Sequence, residues 1–333
     1  MHIPDGYLSP ATQAVAFAAA APFWTVAGRT VGRHLKAAAA PRIGIFAAFS
    51  FVIMMFNVPL PGGTSGHAVG GALMAIALGP WEAVLGVSAA LALQAIFFGD
   101  GGIGALGANC LNMAVVLPLV AYGAFRGLRR LGLTGAPAAA VAGYVGLMAS
   151  AFCVALELGI QPTLFHDIHG APLYNAYGLA VTLPAMLIPH ALVAAPVEAI
   201  ITGLVYAYLE KTQPSMLRDG GLAPSRLRPL WVGLLALALL SPLGLLASNT
   251  AFGEWGVGEI RARLGFVPAG IARAGAAKAP LLADYTVPGA SERMGYVLSA
   301  LIGVALLAAI ALVVGAVASR RAVRAGGVND HQA

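Results

Sequence analysis

Long apolar runs, separated by short polar or glycine- and proline-rich joints, occupy most of the chain. They fall near 10–28, 43–58, 68–79, 82–98, 103–125, 138–159, 178–208, 230–247 and 295–318. A helix needs about 20 mostly apolar residues to cross the hydrocarbon core, and it meets its backbone hydrogen bonds internally, as lipid demands. The pattern therefore predicts an all-α, polytopic helical membrane protein. The third run is too short to cross alone and is expected to be a half-helix or a tilted insert. The seventh carries Pro184, Pro189 and Pro196 and is expected to kink. The polar, Gly- and Pro-rich stretch 212–229 reads as a linker. It divides a bundle of about seven helices, 1–211, from a two-helix extension, 230–333, built around a loop at 248–294.

Composition agrees with a lipid solvent. Of the 333 residues 59% are hydrophobic and 10% charged, against about 25% charged in soluble domains. The net charge of +6 does not signal nucleic acid, because the basic residues form no aromatic-interleaved patch. They fall instead between the runs, as orientation signals do. With the first terminus outside, the inside joints hold Arg29 to Arg42, Arg126 to Arg130, Lys211 to Arg228 and Arg320 to Arg324, which is 14 of the 19 Lys and Arg. The short outside joints hold none, and the other five lie in the long loop 248–294. Residues 1–28 contain no Lys or Arg, so the first run reads as a retained helix rather than a signal peptide. The expected location is a bacterial or archaeal cell membrane, with the N-terminus extracytoplasmic and the C-terminus cytoplasmic. The two cysteines, Cys110 and Cys153, both sit in apolar runs and suggest neither a disulfide scaffold nor a CxxC metal site.

The candidate chemistry begins at the first residue. The chain opens MHIPDG, and bacterial aminopeptidases trim the initiator Met only before a small side chain, which His2 is not. The Met1 amine, the following amide nitrogen and the His2 imidazole Nδ1 can close a five- and a six-membered chelate ring in one plane. Planar nitrogen ligation suits Ni(II) or Cu(II), whereas oxygen-rich cages suit Mg or Ca. Pro4 stiffens the chain directly behind the chelate. The plainer alternative is that His2 is a polar residue in a frayed terminus.

A second element is PLPGGTSGHAVGG, 59–71, a Gly-rich outside loop that ends in His67. It could fold into the bundle and deliver one imidazole, with Thr64 and Ser65 orienting the ring from behind. Otherwise His67 is a helix-end residue bonded to water. Gln94, Asn109 and Asn112 lie around the GDGG turn and could bond the loop that carries His67, or each other's helices. His190 and Glu198, eight residues apart, share roughly one helical face and are expected to be packing groups. Glu157 is expected at the interface, and His166, Asp167 and His169 in a solvated loop.

At these residues a resemblance emerges. MHIPDG, MFNVPLPGGTSGHAVGGALMAIALGPW (55–81) and FFGDGGIGALGANCLNMA (97–114) are similar to the CbiM/NikM family, the substrate-binding S components of energy-coupling-factor importers for cobalt and nickel. The resemblance covers the seven-helix region. It implies that Ni(II) or Co(II), as transported substrate, sits among the Met1 amine, the His2 amide and imidazole, and His67. SPLGLLASNTAFGEWG (241–256) and ADYTVPGASE (283–292) more loosely resemble the small CbiN/NikN subunits, implying an accessory or gating extension.

No G-x-x-x-x-G-K-[ST] phosphate loop occurs, so this chain is expected to bind no ATP and to be no enzyme. The resemblance supplies a transmembrane T component and cytosolic ABC-type ATPases as partners, besides membrane lipid. Gly44-x-x-x-Ala48 and the Ala-rich first helix offer small-residue docking surfaces. The competing function is a secondary-active divalent metal transporter driven by an ion gradient, with Glu198 as the one promising midplane carboxylate. H-E-x-x-H and paired intrahelical aspartates, which a membrane metalloprotease needs, are missing. The sequence does not separate nickel from cobalt.

Overall fold

A computed structural model describes residues 1–34, 40–62, 64–218, 227–247, 250–277 and 279–327. The apolar runs become helices because intrahelical hydrogen bonding is the backbone's solution in lipid. Helix α1 spans Pro10–His34 and α2 spans Ala40–Met54; a two-stranded hairpin follows, β1 (Val58–Leu60) and β2 (Thr64–Gly66). Next come α3 (Gly71–Leu78) and α4 (Pro80–Leu93), the latter extended by a π turn at Gln94–Phe98. A second π turn, Cys110–Val116, joins α5 (Leu106–Asn109) to α6 (Leu117–Arg130). Helix α7 (Gly135–Gly159) runs into the short α8 (Gln161–Leu164). A third π turn, His190–Ala194, joins α9 (Leu179–Pro189) to α10 (Ala195–Thr212), and α11 (Pro214–Arg218) follows. Then come α12 (Arg228–Leu240), the loop helices α13 (Val257–Leu264) and α14 (Ala269–Gly275), and the long α15 (Glu292–Gly327).

Among the described residues seven helical stretches are long and apolar enough to cross a membrane, and Ala40–Met54 is a shorter apolar helix. The third run is indeed a short piece, α3, of 8 residues. The seventh, expected to kink, carries a π turn between Pro189 and Pro196 and stays helical through it. Of the linker expected at 212–229, residues 214–218 form α11 and 219–226 lie outside the described residues.

Helix α7 is the hub of the bundle, packed against α6, α9 and α10. The extension docks on the other side, where α12 and α15 both lie against α2. That contact relies on small residues: a Cβ on Gly44 would meet Ala311, and one on Gly303 would meet the Phe51 ring. The Gly44 face, expected to dock a separate subunit, is therefore occupied by the chain's own last helix. Helix α1 packs on α4, where the Trp24 indole donates to Ser88 Oγ at 2.9 Å.

Candidate metal site at the buried N-terminus

Residues 1–9 do not fray. Met1, His2 and Ile3 are 3%, 3% and 0% exposed, so the first residues are core. Asn109 on α5 holds them with a two-sided amide clasp. Ile3 N–H donates to its Oδ1 at 2.8 Å, and its Nδ2 donates to the Ile3 carbonyl at 3.0 Å. The same carbonyl accepts from Gly102 N–H at 2.9 Å. The Asp5 carboxylate accepts from the Ile103 and Gly104 amides. Gly6 adopts φ +90°, and a side chain there would strike the Gly270 carbonyl, so a glycine is required where the terminus passes under the extension. Ser9 then caps α1, its Oγ accepting from Thr12 N–H at 3.1 Å.

The hairpin delivers the second histidine. β1 and β2 pair antiparallel, Val58 with Gly66 and Leu60 with Thr64, which satisfies this non-helical backbone inside the protein as membrane depth requires. His67 follows directly, 4% exposed, with its Nε2 3.2 Å from His2 Nδ1 and the ring centroids 4.9 Å apart. Burial, then the neighbouring amine and His2, push its pKa well below the ordinary histidine range. The ring is therefore neutral near pH 7. Nδ1 lies 3.1 Å from the Ala68 carbonyl and donates to it, which leaves the Nε2 lone pair facing His2. Two nitrogens on adjacent corners of a square sit about 2.8 Å apart for metal–nitrogen bonds of about 2.0 Å. The 3.2 Å gap between the rings is near that value.

Both ends of the chelate also touch carboxylates. The Met1 amine donates to Glu254 Oε1 at 3.1 Å. His2 Nδ1 lies 3.1 Å from Asp100 Oδ1. Asp100 in turn accepts from the Tyr285 hydroxyl and, at 3.4 Å, from the Gln94 amide, which also donates to the Tyr285 oxygen at 3.1 Å. Burial and the Asp100 charge hold the Tyr285 phenol above its ordinary pKa, so it keeps the proton it donates. The extension bonds the bundle at three more places, the first of them at the terminus. Tyr7 OH donates to the Trp255 carbonyl at 2.7 Å, Gly270 N–H to Leu173 O, and Leu282 N–H to Phe97 O.

Several expectations need correction. Gln94, Asn109 and Asn112 do not bond the His67 loop: they hold Asp100 with Tyr285, Ile3, and the Glu157 carboxylate, respectively. Glu157 is half-buried two residues from the end of α7, where its carboxylate accepts from Asn112 Nδ2 at 2.7 Å. Thr64 and Ser65 are strand residues opposite Leu60 and Pro59, and the His67 ring is oriented by Ala68 instead. The His190 ring is buried, with Nδ1 2.6 Å from the Met186 carbonyl. His166 and His169 lie in an exposed turn closed by Asp167, whose carboxylate accepts from the His169 and Ala171 amides. Among the described residues no three His, Cys, Asp or Glu side chains gather where they could hold an ion. A four-nitrogen site here must draw on the amine and a main-chain nitrogen. Asp100, Glu254 and Tyr285 escaped sequence reasoning, although all three sit inside quoted stretches, FFGDGG, AFGEWG and ADYTVPG.

Comparison with known proteins bears on the same residues. The family described as CbiM, cobalt uptake substrate-specific transmembrane region, matches residues 2–216, and the PDGLE domain matches 228–320. The fused nickel transport protein NikMN of Rhodobacter capsulatus is 47% identical over 335 residues, covering 93% of this chain and 95% of that protein. The probable fused nickel transport protein LarMN of Lactiplantibacillus plantarum is also 47% identical, over 320 residues, with 91% and 94% covered. The cobalt transport protein CbiM of Geobacter sulfurreducens is 32% identical over 270 residues, with 78% and 75% covered. A crystal structure of a truncated transition metal transporter superposes with a TM-score of 0.62 at 52% identity, covering 63% of this chain and 99% of that one.

Proposed function

We propose, for a chain that belongs to the CbiM family and is an integral-membrane nickel or cobalt transport protein, that it captures Ni(II) or Co(II) as the substrate-binding component of an energy-coupling-factor importer. The ion is held by the Met1 amine, the His2 amide nitrogen and Nδ1, and His67 Nε2. The observation that carries this reading is the burial of the first two residues against His67, with Nδ1 and Nε2 at 3.2 Å. The amide occupies the corner between amine and imidazole, and His67 lies opposite it. Four nitrogens in a plane favour nickel chemically, though partners and availability decide the cargo in the cell.

Binding exchanges two contacts for four metal bonds. The amine leaves Glu254, and His2 Nδ1 leaves Asp100. Because α-amines ordinarily titrate at about 7.7–8.0 and the amide gives up its proton to the metal, binding releases protons. His67 adds none near neutrality, since its pKa lies below the ordinary range and it is already neutral. The sign follows: affinity rises with pH and falls in acid, where protons compete for the donor nitrogens, and His67 keeps its lone pair to lower pH than an ordinary histidine. Calorimetry in buffers of different ionisation enthalpy should count about two protons per Ni(II) near pH 7. An affinity that stays flat between about pH 5 and 8, without proton release, would identify a carboxylate site instead.

Transport energy comes from a T component and ABC-type ATPases. The supporting observation is the missing phosphate loop. Proteoliposomes holding this chain alone should bind nickel yet show no ATP-stimulated uptake, and adding those subunits should start it. Uptake driven by a proton gradient alone would favour secondary transport. Glu198, the carboxylate such a mechanism would use, accepts main-chain hydrogen bonds here. The N-terminus lies outside and the C-terminus inside, on the strength of the basic residues in the inside joints.

A further inference from the structure

Glu198 lies two turns along the helix from His190 and is 0% exposed. Its Oε2 accepts from Val69 N–H at 2.7 Å and from Gly70 N–H at 3.0 Å. Two successive amides converge on one oxygen directly ahead of α3, where Gly70 takes a left-handed φ of +73°. On the other side of the same segment, Ser50 Oγ of α2 donates to the Val69 carbonyl at 2.7 Å. The peptide unit at Val69 is thus gripped on both faces, by α10 through its N–H and by α2 through its C=O. His67 is two residues upstream, within about 7 Å of chain. Its ring is aimed by the carbonyl of Ala68, the residue between. The hairpin rests on the same helix, since β1 packs against the π turn His190–Ala194.

We propose that Glu198 is a positioning residue for the metal donor His67, clamping the segment after the hairpin onto α10 so that Nε2 stays at the corner of the chelate. This rests on the assignment of His67 as a ligand. Ala at 198 would leave the Val69 and Gly70 amides buried without that acceptor. The segment would then relax, and His67 with it, while the Met1 and His2 nitrogens keep their own anchor at Asn109. The geometry also means that any shift of α9–α10 along its axis is felt at His67 through this clamp.

The test is a double-mutant cycle on the full chain in detergent, read by Ni(II) affinity and the visible absorption of the bound ion. Glu198→Ala should weaken binding by about tenfold to a hundredfold, the range for partners that orient a ligand. It should also shift the planar four-nitrogen band toward the position seen with His67→Ala. In the double variant the loss should equal that of His67→Ala alone, because a clamp on an absent donor does nothing. Glu198→Gln, which keeps an acceptor oxygen of the same length, should restore most of the affinity. Additive losses, or an unshifted band in Glu198→Ala, would overturn the proposal. If Glu198→Ala does not fold, Glu198→Asp, whose carboxylate is one methylene shorter and falls short of the two amides, replaces it in the cycle, and the same criteria of coupling and band position apply. Should His67→Ala itself leave affinity and spectrum unchanged, the ligand assignment fails rather than the clamp alone.

Discussion

Adding one residue ahead of Met1, or acetylating its amine, is expected to weaken Ni(II) binding by at least about a thousandfold, ~4 kcal/mol. The change removes the amine as a donor and opens the five-membered ring, so the His2 nitrogens lose the chelate that held them in plane. Space makes the effect worse. The terminus is buried and its amine meets Glu254 at 3.1 Å, so an extra residue must enter where that carboxylate lies. The fold should survive, because residues 3–9 keep their bonds to Asn109, Gly102 and Gln161. Glu254→Gln is the control. It removes the competing ion pair and leaves the amine intact, so affinity should hold or rise by up to about fivefold, as an ion pair worth ~1 kcal/mol allows. Isothermal titration and thermal melts of the three proteins separate these outcomes. Undiminished affinity in the extended chain would remove the amine from the site.

His67→Ala should cost more than about a hundredfold in affinity, since partners that merely orient a ligand already account for about 10–100-fold. It should leave a three-nitrogen complex at Met1 and His2, visible as a shifted absorption band, and release fewer protons only if the hydration of the ion changes. His166→Ala and His169→Ala, in the exposed turn held by Asp167, should bind as tightly as the parent. A larger effect from either of those than from His67 would place the ion elsewhere.

Much of this architecture is legible in the sequence, because lipid imposes a length and a polarity on every crossing. The nine apolar runs reappear as helices, the short third run as α3 and the proline-rich seventh as a helix with a π turn at His190–Ala194. The proposed chelate is suggested for a different reason: three of its nitrogens would come from two consecutive residues, so local chemistry is enough to raise it. What surrounds it is not. Glu254 meets Met1 across 253 positions, and Tyr285 meets Asp100 across 185. Such contacts leave no periodicity, and the pattern of the loop that brings them gives no hint of a roof. Asn109 misled in a similar way. Its polarity marked it as functional, but its partner is the main chain of Ile3, which has no side-chain signature to match.

The π turns carry a consequence for how these helices can change. Widening one turn takes up a residue more than an α-helix needs, so each such turn resets the angular phase of everything after it. If His190–Ala194 rewound into ordinary α-helix with every residue kept, the rest of α10 would turn by about 100°. Glu198 would then swing from the amides of Val69 and Gly70 toward a neighbouring face, and Thr202 with it. Deleting one residue as the turn rewinds would leave Glu198 aimed as it is, because a π turn holds about one residue more than the α turn it replaces. The aim of α10 is stored in that one wide turn.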